Sequence, residues 1–220
     1  MISVLLCVYN GEKHIAKSLE SILNQTYNVF EVLIGFNGTT DNSKNIVAKY
    51  LDHRIKIFDY NQDKGKAKTL NKLLKEVKGD WCAIQDDDDI WLPKKLETQI
   101  EFMSRYDVIG TQCDYINENG DIIGHPLVRC DNDEIAQYSL NGTNQIINTS
   151  AIFKTEKAIE VGGWDETIDG IEDYDFWLKL IKAGCRFHNL SQAYVQHRLH
   201  ANSNFNTKKY DIKSLIEKYK

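Results

Sequence analysis

Three uninterrupted apolar runs, ISVLLCVY, FEVLIGF and WCAI, alternate with segments of helical spacing in the first hundred residues. This alternation constrains the fold more than any other feature of the chain. A strand without polar alternation must be buried on both faces, which happens when helices cover both sides of a sheet. Between the strands, EKHIAKSLESILNQ places Ile15, Leu19, Ile22 and Leu23 on one helical face. SKNIVAKYL reads as a second helix and RIKIFDY as a strand. AKTLNKLLKEVKG aligns Leu70, Leu73, Leu74 and Val77 and stops at Gly79, and Pro93 opens a helix carrying Leu96, Ile100 and Met103. Strand and helix in turn predict an α/β fold with a mostly parallel sheet flanked by helices. Ligands of such sheets sit beyond the carboxyl ends of the strands. Three loops, YNGEK, FNGTTDNS and QDDDDIW, are expected to meet there.

The second half is less regular. DVIGTQCDYIN and DIIGHPLV flank Asn119-Gly120 and predict an antiparallel hairpin. Asp131, with Glu134 three residues on, reads as a capping-box start. INTSAIFK reads as a strand and TEKAIEVGG as a short helix. EDYDFWLKLIKAG reads as a helix with Phe176, Trp177, Leu180 and Ile181 inward, and RFHNLS and AYVQHRLH as two short strands. KKYDIKSLIEKYK is a lysine-rich amphipathic helix that either covers the domain or touches an anionic membrane or a partner. The net charge of -5, from 27 basic and 32 acidic residues, argues against a nucleic-acid partner. Five scattered cysteines form no CxxC pair or Cys/His cluster, so no disulfide framework or zinc site is expected, and a reducing, cytoplasmic setting fits. No segment reads as a leader, and no apolar run reaches membrane-spanning length.

Four consecutive aspartates, Asp86 to Asp89, follow the WCAI strand. Each close pair of carboxylates costs only about 1 kcal/mol in water and more near a protein interior. A solvated loop that caps the next helix accounts for one of them, not four. A calcium loop needs alternating oxygen ligands closed by a glutamate, and that pattern is absent. The third reading is a catalytic Mg2+ or Mn2+ ion, which takes one or two carboxylates and completes its shell with substrate phosphates and water.

The segments VYNGEKHIAKSLESILNQTY, FEVLIGFNGTTDNS, KGKAKTLNKLLKEVKGDW, DDDDIWLPKKLETQ, VGGWDETIDGIEDYDFWLKLIKAG and HRLHANS stand in this order. Together they resemble the family 2 glycosyltransferases over about the first two hundred residues. The resemblance implies a GT-A fold: one domain over residues 1–205, split into a nucleotide-sugar half (1–110) and an acceptor half (111–205) with a small antiparallel portion, then a C-terminal helix over 206–220. It implies an inverting transfer of sugar from a nucleotide-diphosphate donor, a UDP-sugar first, to a hydroxyl of a glycan or lipid-linked acceptor. It also implies a role in polysaccharide biosynthesis at or near the cytoplasmic face of a membrane.

Residue by residue, Asp88 becomes the metal ligand, with Asp86 on the donor ribose or a metal-bound water and His200 completing the shell. Asp87 is grouped with the donor contacts or faces solvent, and Asp89 supports the shell or the helix start. Asp173 becomes the general base, with Glu172 beside it, and the helix dipole is expected to favour its ionised form. Capping of the helix is the alternative for both acids. Val8 and Tyr9 would line the nucleotide pocket, and Lys66 and Lys68 would lie near the donor. Asn37 stands where relatives carry a carboxylate that accepts the base N–H, and its carbonyl can accept the same bond. Phe36 stacks on the base or belongs to the core. Trp164 and Asp165 would approach the acceptor, Trp164 as a sugar platform or packed under its loop. A sugar nucleotidyltransferase is disfavoured, because CVYNGEKHI lacks the Gly-rich basic loop. A non-catalytic nucleotide- or glycan-binding module remains the other reading.

Overall fold

A computed structural model describes residues 1–60, 62, 64–199 and 210–219. The first strands are β1 (Ile2–Val8), β2 (Phe30–Phe36), β3 (Ile55–Asp59) and β4 (Trp81–Asp86), and they pair in parallel in the order β3-β2-β1-β4. Between them run α1 (Ile15–Leu23), α2 (Ser43–Val47) and α3 (Lys66–Leu74). Their alternation explains the apolar runs. Val4, Leu6 and Val8 of β1 pack toward one core and Leu5 and Cys7 toward another. Successive side chains leave a strand on opposite faces, so a strand between two helical layers must be apolar throughout.

The sheet continues through the second half of the chain. β5 (Ile90–Trp91), β6 (Val108–Ile116), β7 (Ile122–Gly124), β8 (Ile152–Lys154) and β9 (Phe187–Arg198) extend it to nine strands. β8 is antiparallel to both β4 and β6, β9 is parallel to β6, and β5 is antiparallel to β9. β7 folds back on β6 as the expected hairpin, with Gly120 at positive φ in its turn. The remaining helices are α4 (Lys95–Ile100), α5 (Asn132–Leu140), α6 (Thr155–Glu160), α7 (Glu172–Lys182) and α8 (Ile212–Glu217). Side chains of α1, α2 and α4 line one core, and those of α3, α5, α6 and α7 line the other.

Four expectations need correction. RFHNLS and AYVQHRLH form one strand, β9, whose register against β6 shifts between Thr111 and Cys113. These irregularities let a polar Ser-Gln pair pass without ending the strand. INTS forms a 3-10 turn (Asn148–Ser150) rather than the start of β8. β5 had no signal, because two residues are too short for a period. Of the C-terminal helix expected over 206–220, residues 212–217 are helical, and 206–209 and 220 lie outside the described residues.

Candidate active site

The loops after β1, β2 and β4 meet at one edge of the sheet and are tied to one another. Asn37 N–H and the Thr39 hydroxyl both donate to the Val8 carbonyl, at 2.9 and 2.8 Å. Asn10, at φ 53, accepts from Thr40 N–H at 2.8 Å, and Glu12 N–H donates to Asp41. Tyr9 N–H donates to Asp87 Oδ2 at 2.9 Å. Gly11 is needed beside it, since a Cβ would stand 2.6 Å from that same oxygen. Ser18 Oγ, inside α1, donates to the Asp86 carbonyl at 2.9 Å.

The four aspartates have separate environments. Asp86 accepts from Lys66 Nζ at 2.6 Å and lies 3.3 Å from the Asn148 amide. Asp87 is not a solvent-facing bystander, because it braces the β1 loop through Tyr9. Burial, and then the Asp88 and Asp86 charges, push its pKa well above the carboxylate range. Asp88 is half-buried on the loop, and its carbonyl accepts from Arg198 Nε at 2.9 Å. Asp89 is fully buried; it accepts from Arg198 N–H at 2.8 Å and pairs with His197 Nδ1 at 2.9 Å. Burial raises the Asp89 carboxyl. Burial also works against the His197 imidazolium, but the Asp89 charge outweighs it and raises His197. Asp89 therefore anchors β9 to this loop.

Lys66, paired with Asp86 of the loop, also lies in the field of the acids that begin α7. Burial acts to lower its pKa, but Asp86, Glu172 and Asp173 outweigh it and hold the ammonium protonated, well above its ordinary value. Glu172 is buried and accepts from Gly170 N–H at 2.6 Å, so it closes the turn that starts α7. Burial and then the Glu172 charge push Asp173 up to about 7, against the pull of Lys66. The helix start alone was expected to favour the ionised form; desolvation and a like charge prevail. Lys66 and Lys68, with Gly65, Glu166, Ile168, Asp169 and Glu172, line a cleft of about 360 Å³ between α3 and the loop before α7.

Other expected site residues take different places. The Val8 side chain is in the core, and its carbonyl accepts from Asn37 N–H and the Thr39 hydroxyl, so it shapes the loop. Tyr9 is exposed on the rim. Phe36 is buried in the core. Asn37 Oδ1 accepts from Gly65 N–H at 2.6 Å, which spends one of its lone pairs on the loop before α3. Trp164 is no sugar platform. It is 2 % exposed, stacked on Phe176 at 4.3 Å between centroids and edge-on to Phe153. Asn71 holds its backbone N–H and carbonyl, so the ring packs under the loop. Asp165 accepts from Thr167 and from Lys218, and Asp175 faces α8. His200 lies outside the described residues. Lys66 as a link to α7, Asn148, His197 and Asn71 were not legible; each earns its place by a partner 20 or more residues away.

Among the described residues, no three His, Cys, Asp or Glu side chains form a metal cage by themselves. The donor set nonetheless fits a hard divalent ion. Asp88 offers carboxylate oxygens at the loop, and Mg2+ or Mn2+ needs only one or two such groups when phosphates fill the rest. Asp86 has the Lys66 ammonium on Oδ1 and the Asn148 amide at 3.3 Å on Oδ2, and a carboxylate oxygen with one such partner can still accept from a ribose or a water.

A family model described as "Glycosyl transferase family 2" matches residues 3–162. The chain is 31% identical over 205 residues to UDP-Glc:alpha-D-GlcNAc-diphosphoundecaprenol beta-1,3-glucosyltransferase WfaP of Escherichia coli, covering 92% of this chain and 79% of the relative. Its fold is similar to that of S. aureus TarS (residues 1–349) in complex with UDP-GlcNAc, with a TM-score of 0.79 at 20% identity over 97% of this chain. It spans 64% of that solved chain. Mannosyltransferase PcManGT from Pyrobaculum calidifontis, in complex with GDP-Man and Mn2+, is also similar, with a TM-score of 0.66 at 19% identity over 87% of this chain and 54% of the other.

Proposed function

The chain belongs to glycosyl transferase family 2, and on that premise we propose that it transfers a sugar, with inversion, from a nucleotide diphosphate to an acceptor hydroxyl. The observation that carries this reading is the Lys66 ammonium, 2.6 Å from Asp86 and in the field of Glu172 and Asp173. It supports reading the carboxyl end of β4 and the start of α7, motifs some 85 residues apart in sequence, as one site.

The acceptor hydroxyl attacks the anomeric carbon as the bond from that carbon to the diphosphate oxygen breaks. Asp173 takes the hydroxyl proton on a carboxylate oxygen. Attack from the face opposite the leaving group inverts the centre in one step, with no covalent sugar–enzyme bond. With its pKa near 7, Asp173 is close to the value a general base uses best at neutral pH. Lys66 keeps Asp86 aligned and offsets the repulsion among Asp86, Glu172 and Asp173. The GT-A arrangement provides a nucleotide floor in the tied loops after β1 and β2, with Tyr9 on the rim and Asn37 bonded to Gly65. Asp88, with Asp86 beside it, would hold Mn2+ or Mg2+, whose charge would neutralise the leaving diphosphate.

A UDP-sugar is the first donor to test, since WfaP is named for UDP-Glc and TarS is seen with UDP-GlcNAc. A lipid-linked saccharide is the acceptor class, by analogy with the diphosphoundecaprenol in the name of WfaP. Among the described residues no helix is long and apolar enough to cross a membrane. Work on such an acceptor would bring the chain to the membrane that holds it. The test is a panel of nucleotide sugars with Mn2+, comparing wild type with Asp173→Asn. The base role requires that donor binding persist while transfer collapses. Loss of folding in Asp173→Asn would favour helix capping, and failure of every donor to bind would overturn the enzyme reading.

A further inference from the structure

One cluster beside the site takes no part in the chemistry above. Asp175 is fully buried on α7, two residues beyond Asp173. Its Oδ1 accepts from the Tyr219 hydroxyl at 2.5 Å and lies 3.7 Å from Lys218 Nζ, while Oδ2 is 3.3 Å from Lys179. Lys218 also reaches Asp165 Oδ2 at 3.4 Å, in the loop that leads into α7. A single lysine thus bridges the two segments that flank Glu172 and Asp173. Apolar contacts follow the same line. Leu215 of α8 joins Tyr174 and Leu178 of α7 in a small core, with Ile168 and Ile171 of the loop against it. The Tyr210 hydroxyl lies so close to Gly170, at φ +88, that a Cβ there would collide with it.

Packing alone does not account for this arrangement. A buried carboxylate bonded to another element is costly to desolvate, and apolar replacements of such groups are often at least as stable. What a charged, hydrogen-bonded lock supplies is a single geometry. We propose that the segment from Tyr210 to Tyr219 is a positioning clamp, in which Lys218 and Tyr219 hold residues 165–171 against α7 and so fix the base and the acceptor side of the cleft. The inference rests on Asp173 acting as the base. Lys218 and Tyr219 are positioning residues, since they act through Asp165 and Asp175.

The test uses the full chain carrying Lys218→Met and Tyr219→Phe, with Lys218→Arg as the conservative control. Amide hydrogen exchange is measured for residues 165–175, and UDP release is followed from UDP-glucose and UDP-N-acetylglucosamine with Mn2+. The clamp predicts exchange faster by about tenfold or more in 165–175, with β1 to β4 unchanged. It predicts a fall in kcat of about tenfold, because small misplacements of a reacting group are expensive in rate. The donor KM stays within about twofold, because Lys218 and Tyr219 act on Asp165 and Asp175, on the proposed acceptor side. Lys218→Arg restores both readouts. Unchanged exchange in 165–175 overturns the proposal whatever Asp173 does. Faster exchange with an unchanged kcat, in a protein that Asp173→Asn inactivates, reduces the segment to a structural cover and overturns its positioning role. Retained turnover in Asp173→Asn instead refutes the base reading, and the exchange data then decide whether the segment restrains the loop at all.

Discussion

Asp173 shows how position and environment can oppose each other at a single residue. It sits in the first turn of α7, where negative charge is favoured, yet burial and Glu172 raise it to about 7. A base works deprotonated, so the rate should be level above pH 7 and fall as the pH drops below it, by about tenfold per unit. A pH profile of kcat/KM checks this. Lys66 holds Asp173 down, so Lys66→Met should move that acid limb to higher pH; a limb that stays put or moves down removes Lys66 from the site. Asp173→Asn should lower transfer by about 10²–10⁴-fold, with donor affinity, read by calorimetry, nearly unchanged. The carboxylates at 86, 88 and 173 were singled out by the order of the family's motifs, and their roles are the proposal that these profiles test. The Lys66 pairing was not, because it depends on how α3 seats against β4.

At the scale of elements, the loop before α7 is governed by the core beneath it. Trp164 fills that core with Phe153, Phe176 and Trp177 in contact around it. Trp164→Ala should therefore cost about 3–5 kcal/mol of stability, as large-to-small core changes do. Urea denaturation reads this directly, and an acceptor platform would instead change acceptor KM at full stability. The capping start of α5 was legible as a motif: Asp131 accepts from Asp133 N–H, and Asp131→Ala should cost about 1 kcal/mol. Lys95 was not legible. In the first turn of α4 it is fully buried, its ammonium 4.0 Å from the Trp91 ring and 2.9 Å from Gln99 Oε1. Burial without a carboxylate partner lowers its pKa well below the usual lysine value.

For the whole molecule, strand order decides what can meet. β1 stands between β2 and β4, so the loops after all three open at the same edge, and Cys7 pairs with Asp86 in register. Binding there should stabilise the entire fold. UDP with Mn2+ at about 100 times Kd should add about 2.7 kcal/mol, seen as a rise in Tm, and a chelator or Asp88→Ala should remove most of it. An unchanged Tm with UDP and Mn2+ would remove the donor site from this edge. The periodicity of residues 2–100 by itself determined a parallel sheet covered on both faces, since each strand and helix states its buried positions within a few neighbouring residues. The order of the acidic and glycine motifs also pointed, through the family resemblance, to the loops after β1, β2 and β4 as the proposed donor site. Only the tertiary structure decided that Lys66 pairs with Asp86, that Asp89 holds β9 through His197 and Arg198 N–H, and that Tyr219, just beyond α8, holds Asp175. These contacts join residues 20 to 109 positions apart, and local patterning carries no record of which side chains distant elements will bring together.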